Sequence, residues 1–307
     1  MSWNASVKVF PYHTEGEKLT DVRKPDWLKI KFKSSGNMDY VDEIIRQCGL
    51  NTVCVEAMCP NRAECFSKRT ATFMILGRNC TRNCTFCNVS RQEPDRQDPG
   101  EPLRVAEAVM RLGLRYVVIT SVTRDDLDDG GASQFVNCIR EIRKKDDCIK
   151  VEVLVPDFSG NAGALKSVVM EKPFVLNHNV ETVRRLYPEV RPSAVYDRSL
   201  GLLKKAKETD SDIRTKSGIM LGLGETKEEV VQTLLDIRAA GVDLLTIGQY
   251  LAPSRKHHNV ARYVHPDEFD EYKRIAIEMG FLHAASGPFV RSSYNAAEAV
   301  PGLLSGV

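Results

Sequence analysis

Residues 72–89 read TFMILGRNCTRNCTFCNV, and this stretch decides how the rest of the chain is interpreted. Its first part, TFMILG, is a short apolar run with an aromatic residue, which predicts a buried strand. Directly after it, Cys80, Cys84 and Cys87 follow one another in C-x3-C-x2-C spacing. Functional residues of parallel sheets gather where the strands end, so the three thiols predict a site on this loop.

Beyond this loop, apolar runs alternate with helical patterns. The further strand-like runs are YVVITSV, IKVEVLV, FVLN, IRTKSGIML and LLTIGQY, and FLHAASG follows the last helical pattern. The helical patterns between them are LRVAEAVMRLG, ASQFVNCIREIRKK, VETVRRLY, SLGLLKKAKE, KEEVVQTLLDIRAAG and PDEFDEYKRIAIEMG. Strand and helix alternate about six times, which predicts a parallel sheet with right-handed crossovers.

The fold class predicted from this alternation is α/β, with a partial (βα)6 TIM-like barrel. Six repeats are too few to close the eight-fold barrel, and runs that are apolar throughout fit strands covered on both faces. A doubly wound sheet is the alternative, but no G-x-G-x-x-G follows the first strand. We predict three regions: an N-terminal extension at 1–70, the barrel at 71–286 and a C-terminal tail at 287–307.

Composition excludes several classes of function. The 307 residues include 43 Lys and Arg against 41 Asp and Glu, so bulk charge predicts neither nucleic-acid nor membrane binding. No apolar run approaches the ~20 residues of a membrane helix. The start of the chain has no basic segment followed by an apolar one, so we expect no secretory signal and a cytoplasmic location.

Nine cysteines demand an explanation, because six of them lie between residues 54 and 87. Thiols stay reduced inside cells, so clustering there favours metal over a secreted disulfide framework. Cys80, Cys84 and Cys87 can hold three irons of a cubane cluster and leave the fourth iron open, whereas electron-transfer clusters are normally closed by four cysteines. Zinc is the alternative, but zinc sites usually pair two C-x2-C units or one such unit with histidines.

A second group of cysteines lies upstream of the first. Cys54, Cys59 and Cys65 have C-x4-C-x5-C spacing, again with no fourth cysteine. The three remaining cysteines, at 48, 138 and 148, fall on a helical pattern or near element ends, which predicts packing rather than ligation. The fourth ligand of the second group must therefore come from elsewhere in the chain.

The two cysteine groups together resemble the lipoyl synthase family of the radical S-adenosylmethionine superfamily. The resemblance runs from about residue 24 to residue 298. The motifs that carry it are KPDWLKIK, NTVCVEAMCPNRAEC, TATFMILGRNCTRNCTFCNV, YVVITSVTRDDLDDGGA, VEVLVPDF, NHNVETV, KSGIMLGLGET, TIGQYLAPS and GPFVRSSY.

This resemblance implies two [4Fe-4S] clusters. Cys80, Cys84 and Cys87 would bind the radical-generating cluster. Cys54, Cys59 and Cys65 would bind an auxiliary cluster whose fourth ligand is a serine of the R-S-S-Y motif, here Arg291 to Tyr294. We expect Ser293 to be that ligand, with Ser292 as the alternative.

The same resemblance implies the reaction and its partners. Two molecules of S-adenosylmethionine per product would be cleaved reductively, and the resulting radical would take hydrogen from C6 and C8 of an octanoyl group on a carrier-protein lysine. Sulfur would come from the auxiliary cluster. The expected partners are an octanoylated carrier protein or domain, an electron donor such as ferredoxin or flavodoxin, and an iron–sulfur carrier that repairs the auxiliary cluster.

Contacts to S-adenosylmethionine are expected from polar groups at strand ends and from an aromatic residue beside the third cysteine. The expected contacts are Phe86, Thr120, Ser121, Glu152, Asn177 and Arg191. Arg191 could pair with the methionine carboxylate of the cofactor. His178 could be a site residue or a hydrogen-bonded structural histidine. The acidic segment RDDLDDGG lacks the offsets of a calcium loop and predicts an ordered functional loop that caps a helix.

Two rival functions explain fewer of these features. Another sulfur-inserting radical enzyme, acting on a biotin precursor or on tRNA, would leave both the upstream cysteines and the terminal R-S-S-Y unexplained. A two-cluster electron carrier would need four cysteines for each cluster and no barrel.

Overall fold

The computed structural model describes residues 24–29 and 36–298 of the chain. Predictions that concern residues 1–23, 30–35 or 299–307 lie outside the described residues. These include most of the polar N-terminal stretch, the end of KPDWLKIK and the end of the tail.

The strands of the described residues form one eight-stranded sheet with the order β1 to β8. They are β1 Asn51–Thr52, β2 Thr72–Ile75, β3 Tyr116–Ser121, β4 Lys150–Leu154, β5 Val175–Asn177, β6 Arg214–Leu221, β7 Leu244–Gln249 and β8 His283–Gly287. β1 is antiparallel to β2, and all later neighbours are parallel. Within the part described, β8 does not pair with β1 or β2, so the predicted open α/β barrel is confirmed.

The described residues form ten α-helices, and those that follow β2 connect the parallel strands in sequence. They are α1 Gly36–Gln47, α2 Val53–Glu56, α3 Arg62–Ser67, α4 Glu101–Leu112, α5 Ala132–Lys145, α6 Ala162–Met170, α7 Tyr187–Val190, α8 Tyr196–Thr209, α9 Lys227–Ala239 and α10 Pro266–Glu278. Short 3-10 turns occur at Asp26–Leu28, Phe158–Gly160 and Arg184–Leu186. The three helices before β2 belong to the segment that carries the upstream cysteines.

Local sequence signals set several of the helix ends. α9 begins with a capping box. The Thr226 hydroxyl accepts a hydrogen bond from the backbone N–H of Glu229 at 3.3 Å, and the Glu229 carboxylate accepts one from the backbone N–H of Thr226 at 2.9 Å. α4 ends at Gly113, which adopts the left-handed conformation with φ of 68°. These caps make the helix boundaries readable from the sequence.

The core explains why the strands read as unbroken apolar runs. Every residue of β2 and of β7 is buried, so both faces of these strands are covered. Because side chains fill the barrel as well as the space under the helices, room for chemistry exists mainly where the strands end. The loops after β2, β3, β4 and β5 therefore position the candidate site.

Three elements differ from the sequence predictions. VETVRRLY was predicted to be helical, but only a 3-10 turn at Arg184–Leu186 and the short α7 form there. Its first residues instead pack beside β6, where Glu181 makes an isolated parallel bridge to Ile219. α6 was not predicted, since AGALKSVVM has little polar contrast between its faces. FLHAASG adds β8 as a further parallel strand beyond the six predicted repeats.

The proposed division at residues 70 and 286 stays a prediction. In the structure, residues 288–298 form turns without a helix or strand. None of the helices in the described ranges is both long enough and apolar enough to cross a membrane.

Candidate functional site

The loop after β2 brings the first three cysteines together. All three thiols are free and half-buried, and the charges of Cys80 and Cys84 raise the pKa of Cys87, so the three sulfur atoms lie within electrostatic range of one another. Cys80 Sγ accepts from the backbone N–H of Thr123 at 3.3 Å and of Arg82 at 3.5 Å. These two N–H groups fix the position of the Cys80 sulfur on the loop.

Burial opposes ionisation of the Cys84 and Cys87 thiols. It raises the pKa of Cys87 to about 12 and also raises that of Cys84, where the nearby Arg191 charge acts in the opposite direction. Thiols with such pKa values are protonated at neutral pH, so binding of a cationic iron centre must displace their protons.

A buried ion-pair network holds this loop against the next two strands. Arg82 donates from Nε to Asp125 at 2.7 Å and from Nη2 to Asp157 at 2.5 Å. Burial disfavours the charged form of Asp157, but the hydrogen bond and charge of Arg82 outweigh that cost and hold its pKa at about 2. Ser159 Oγ donates to Asp125 at 2.7 Å and completes the network. The acidic segment thus anchors the cysteine loop through Asp125.

We expect Arg82→Ala to lower the free energy of unfolding by about 3 kcal/mol, because Asp157 would be left buried without its main partner. The matched control is Arg198→Ala. Arg198 lies 3.5 Å from the other oxygen of Asp157 and is 35% exposed, so its loss should cost under about 1 kcal/mol. Anaerobic urea denaturation followed by circular dichroism measures both, and equal costs would contradict the anchoring role.

The upstream cysteines form a second cluster of thiols. Cys54 lies in α2, Cys65 lies in α3 and Cys59 lies between these helices. Burial raises the pKa of Cys54 to about 12, with smaller contributions from the charges of Cys59 and Cys65. Burial also raises the pKa of Cys65 to about 11. The three thiols therefore face one another within the N-terminal segment.

The C-terminal tail returns to this second cluster. Asn61 Nδ2 donates to the backbone oxygen of Phe289 at 2.7 Å. Tyr294 Oη donates to the two carboxylate oxygens of Glu64, at 2.9 and 3.0 Å. Arg291 is close enough to Cys59 for their charges to interact. The R-S-S-Y motif is thus held next to the cysteines at both of its ends.

The two serines of the motif have different surroundings. Ser292 Oγ accepts a hydrogen bond from Nδ2 of Asn179, a residue of the barrel that follows β5, at 3.2 Å. Ser293 is half-buried, and its hydroxyl makes no hydrogen bond to any residue the structure describes. The Ser293 oxygen therefore has its lone pairs free, which is consistent with the prediction that it is a ligand.

Neither cysteine group has the geometry of a single-metal site. A single metal ion needs at least three ligand atoms close together. Within residues 24–29 and 36–298, only Asp146, Asp147 and Cys148 place three His, Cys, Asp or Glu ligand atoms within 4.8 Å of one another. A tetrahedral zinc ion with bonds of ~2.3 Å would draw its sulfur ligands to within about 3.8 Å of one another. In neither cysteine group do all three sulfur atoms lie within 4.8 Å of one another.

Strand-end polar groups present unpartnered atoms at the same end of the barrel. Eight buried side-chain atoms have no hydrogen-bond partner in the described structure. Five of them belong to this end of the barrel: Ser121 Oγ, Asn177 Oδ1, His178 Nε2, Asn179 Oδ1 and Arg191 Nε; the others are Arg62 Nε, Asn79 Oδ1 and Thr182 Oγ1. Buried polar atoms are normally satisfied, so a concentration of unsatisfied ones indicates a ligand site. Of the residues expected from the sequence, Ser121, Asn177 and Arg191 belong to this set.

Thr120, Phe86 and Arg191 already have contacts within the protein. Thr120 Oγ1 donates to the backbone oxygen of Leu154 at 3.0 Å, and Phe86 packs partly buried against the core. Arg191 Nη1 donates to the Tyr187 hydroxyl at 2.9 Å and to the backbone oxygen of Asn179 at 3.1 Å. Their contacts to a cofactor stay predictions.

Glu152 lies in a closed network inside the barrel. Its carboxylate accepts from Lys216 Nζ at 3.0 Å, from Tyr116 Oη at 2.6 Å and from Asn177 Nδ2 at 3.0 Å, and it is fully buried. Because both carboxylate oxygens are occupied, the geometry favours support of Asn177 over the direct cofactor contact expected from the sequence. The network orients the Asn177 amide so that its Oδ1 is left free.

Three further polar residues lie after β5, two of which the sequence did not predict as site residues. Asn179 and Glu181 follow β5, and Glu181 is held in the left-handed region with φ of 72°. Burial raises the pKa of Glu181, while Arg191 opposes that shift. Burial lowers the pKa of His178 to about 4, and its Nδ1 lies 2.8 Å from the backbone oxygen of Val155, so its free Nε2 is an acceptor. The dense polar run NHNVET at a strand end was the available signal.

Comparison with known proteins gives a family match over much of the chain. Residues 74–237 match the Radical SAM superfamily. Lipoyl synthase of Caldicellulosiruptor bescii is 58% identical over 278 residues, covering 91% of this chain and 96% of that protein. Lipoyl synthase of Alkaliphilus metalliredigens is 55% identical over the same length and with the same coverage of both chains. Lipoyl synthase of Aliivibrio fischeri is 56% identical over 282 residues, covering 91% of this chain and 88% of that protein.

Solved structures that resemble this one share its fold at low identity. Streptococcus suis SuiB bound to S-adenosylmethionine aligns with a TM-score of 0.53 at 14% identity, covering 73% of this chain and 52% of that one. HydG, a maturase of the [FeFe]-hydrogenase, aligns with a TM-score of 0.55 at 17% identity, covering 68% of this chain and 50% of that one. At these identities the likeness concerns the barrel alone.

Proposed function

This chain belongs to the lipoyl synthase family of the radical S-adenosylmethionine superfamily, and from that premise we propose that it inserts two sulfur atoms into an octanoyl group. Membership of the superfamily implies a [4Fe-4S] cluster and S-adenosylmethionine, and the family name implies a lipoyl-carrier substrate. The proposed product carries sulfur at C6 and C8 of an octanoyl chain linked to a lysine of that carrier.

Cys80, Cys84 and Cys87 are proposed to hold the radical-generating cluster. Three thiolates leave one iron without a protein ligand, where the amino and carboxylate groups of S-adenosylmethionine can bind. When bound, the cluster and S-adenosylmethionine supply a radical that removes hydrogen from an aliphatic carbon, a step beyond acid–base catalysis by side chains. The loop's own contribution is position, since Arg82 fixes it against Asp125 and Asp157.

The unpartnered polar atoms at the barrel mouth are proposed to bind S-adenosylmethionine. Ser121, Asn177 and Asn179 offer neutral hydrogen-bonding groups, which suit the hydroxyl and amino groups of a nucleoside. Arg191 has a free Nε, and its positive charge suits a carboxylate. The donor and acceptor types present therefore fit the cofactor that the superfamily uses.

Cys54, Cys59, Cys65 and Ser293 are proposed to hold an auxiliary [4Fe-4S] cluster that is consumed as the sulfur source. The observation that carries this proposal is the docking of the tail, with Arg291 beside Cys59 and Tyr294 bonded to Glu64. An oxygen ligand is poorly matched to an iron–sulfur centre, so the serine-bound iron should be the first to leave. A cluster held there would supply sulfide to the substrate radical, and one of its ferric irons would take up the electron released when the C–S bond forms.

The reaction requires further partners. Two C–H bonds are replaced, so two molecules of S-adenosylmethionine are used for each product. Each cleavage consumes one electron, which a ferredoxin or flavodoxin could supply. Because two sulfides leave the auxiliary cluster in each turnover, an iron–sulfur carrier must rebuild it before the next.

One anaerobic incubation tests the proposal. Protein reconstituted with iron and sulfide is mixed with S-adenosylmethionine, a strong reductant and an octanoyl-lysine peptide, and the products are read by mass spectrometry. We expect the peptide to gain two sulfur atoms while 5′-deoxyadenosine accumulates, and Cys84→Ala to yield neither product. If the unsubstituted protein forms 5′-deoxyadenosine but never transfers sulfur, the proposed substrate is wrong. If it forms no 5′-deoxyadenosine, the radical chemistry is wrong.

A further inference from the structure

The C-terminal tail touches the candidate cofactor site directly through Asn179. Asn179 Nδ2 donates both to Glu181 Oε1, at 3.0 Å, and to Ser292 Oγ, at 3.2 Å. Asn179 Oδ1 is buried and has no partner among the residues described. One amide group therefore contacts the tail on its nitrogen side and presents a free acceptor on its oxygen side.

Arg291 makes a second connection between the tail and this site. Its guanidinium is buried, and burial lowers its pKa, while the charges of Cys59 and Glu181 act in the opposite direction. Arg291 thus lies between a thiol of the upstream group and the carboxylate that Asn179 also contacts. Its Nη1 donates to the backbone oxygen of Val290 at 2.7 Å, which keeps the side chain folded over the tail.

The tail backbone is seated on the end of β7. A Cβ atom added at Gly248 would come within 2.1 Å of the backbone oxygen of Val290, so only glycine permits this approach. From that seat the tail runs to Tyr294, which bonds to Glu64 beside Cys65. A few residues thus span the distance from the cofactor site to the upstream cysteines.

We propose that the Asn179–Ser292 hydrogen bond couples binding of S-adenosylmethionine to docking of the tail that carries Ser293. A donor of the bound cofactor that reaches Asn179 Oδ1 fixes the orientation of the amide. The same orientation directs Nδ2 at Ser292. Binding at one side therefore strengthens the contact at the other, and the coupling is reciprocal. The inference rests on the proposed function only for the identity of the cofactor. In it, Ser292 acts as a positioning residue, because it holds the tail without touching the cofactor.

The functional consequence is an order of events. The tail places Ser293 beside the three upstream thiols most firmly when S-adenosylmethionine is in the barrel. Radical formation would then be biased toward enzyme in which the proposed sulfur source has its fourth ligand in position.

Hydrogen–deuterium exchange of the cluster-loaded enzyme, without reductant so that S-adenosylmethionine stays intact, tests the coupling. In the unsubstituted protein, S-adenosylmethionine should slow exchange of residues 288–298 by roughly two- to tenfold, the effect of one hydrogen bond. Ser292→Ala should abolish this slowing while slowing at residues 120–124 persists. By reciprocity, Ser292→Ala should weaken S-adenosylmethionine binding in equilibrium dialysis by the same factor.

Tyr294→Phe is the matched control, because it loosens the tail at Glu64 and leaves Asn179 untouched. Its tail should exchange faster with and without S-adenosylmethionine, yet the cofactor should still slow it. The coupling is overturned if Ser292→Ala keeps the full slowing, or if the cofactor slows residues 120–124 but not the tail of the unsubstituted protein. An absence of slowing at both segments overturns the proposed cofactor site, and the coupling with it.

Discussion

Cys59→Ala is expected to stop sulfur insertion almost completely while S-adenosylmethionine is still cleaved. Cys59 belongs to the upstream group, and its thiol lies near Arg291 of the tail rather than in the loop after β2. Loss of a metal ligand should exceed the 10- to 100-fold cost of losing an outer-shell partner, so we expect the thiolated product to fall by at least about 100-fold. Formation of 5′-deoxyadenosine should stay within about threefold of the unsubstituted protein, since the radical site is intact.

The measurement follows both products in one anaerobic time course, with iron and sulfide content determined on the same sample. Cys148→Ala is the control, because Cys148 is exposed and belongs to neither group. It should leave both products unchanged. A Cys59→Ala protein that thiolates the peptide normally would place the sulfur source outside the upstream group.

The second large effect is expected for Ser293→Cys. A thiolate binds iron of a sulfide cluster more firmly than an alkoxide does, so the auxiliary cluster should assemble fully and then resist losing its iron. We expect sulfur transfer to drop by at least about tenfold while iron and sulfide content stays at two clusters per chain. The direction of this change, a better ligand giving a poorer enzyme, sets it apart from simple damage to the site.

Ser292→Cys is the matched control and also decides between the two serines. Ser292 Oγ is bonded to Asn179 Nδ2, so its replacement should affect the tail and cofactor binding rather than the release of iron. If Ser292→Cys retains iron and blocks transfer while Ser293→Cys behaves normally, Ser292 is the ligand. Normal transfer by both variants would contradict the idea that a weak oxygen ligand is needed.

The barrel was predictable because its signals are local. Each strand-forming run is apolar over four to eight residues and each helix repeats its pattern every few residues, so the alternation of β and α can be read along the chain. The failures are also local in origin. α6 has little contrast between its faces, and Val180 to Val183 has helical spacing but is drawn against β6 by backbone pairing.

The site likewise contains residues that the sequence reveals and residues that only the fold reveals. Both cysteine groups were readable because short loops hold their members together by chain connectivity alone. The cofactor contact of Glu152 stays a prediction, and nothing near Glu152 in the sequence shows that Lys216 and Tyr116 contact its carboxylate. Asn179 and Glu181 were missed for the same reason, since their importance comes from contacts to Arg191, Arg291 and Ser292.

The sequence by itself determined the order of strands and helices, the two sets of thiols and the family. Those features depend on spacing within a few residues, which covalent geometry imposes before any folding occurs. Only the tertiary structure decided that Asn179 meets Ser292, that Tyr294 meets Glu64 and that Arg82 is clamped by Asp157. Such pairs join residues far apart in the chain. They exist because burial of the whole barrel core offsets the entropy of closing those long loops, a balance that no local pattern records.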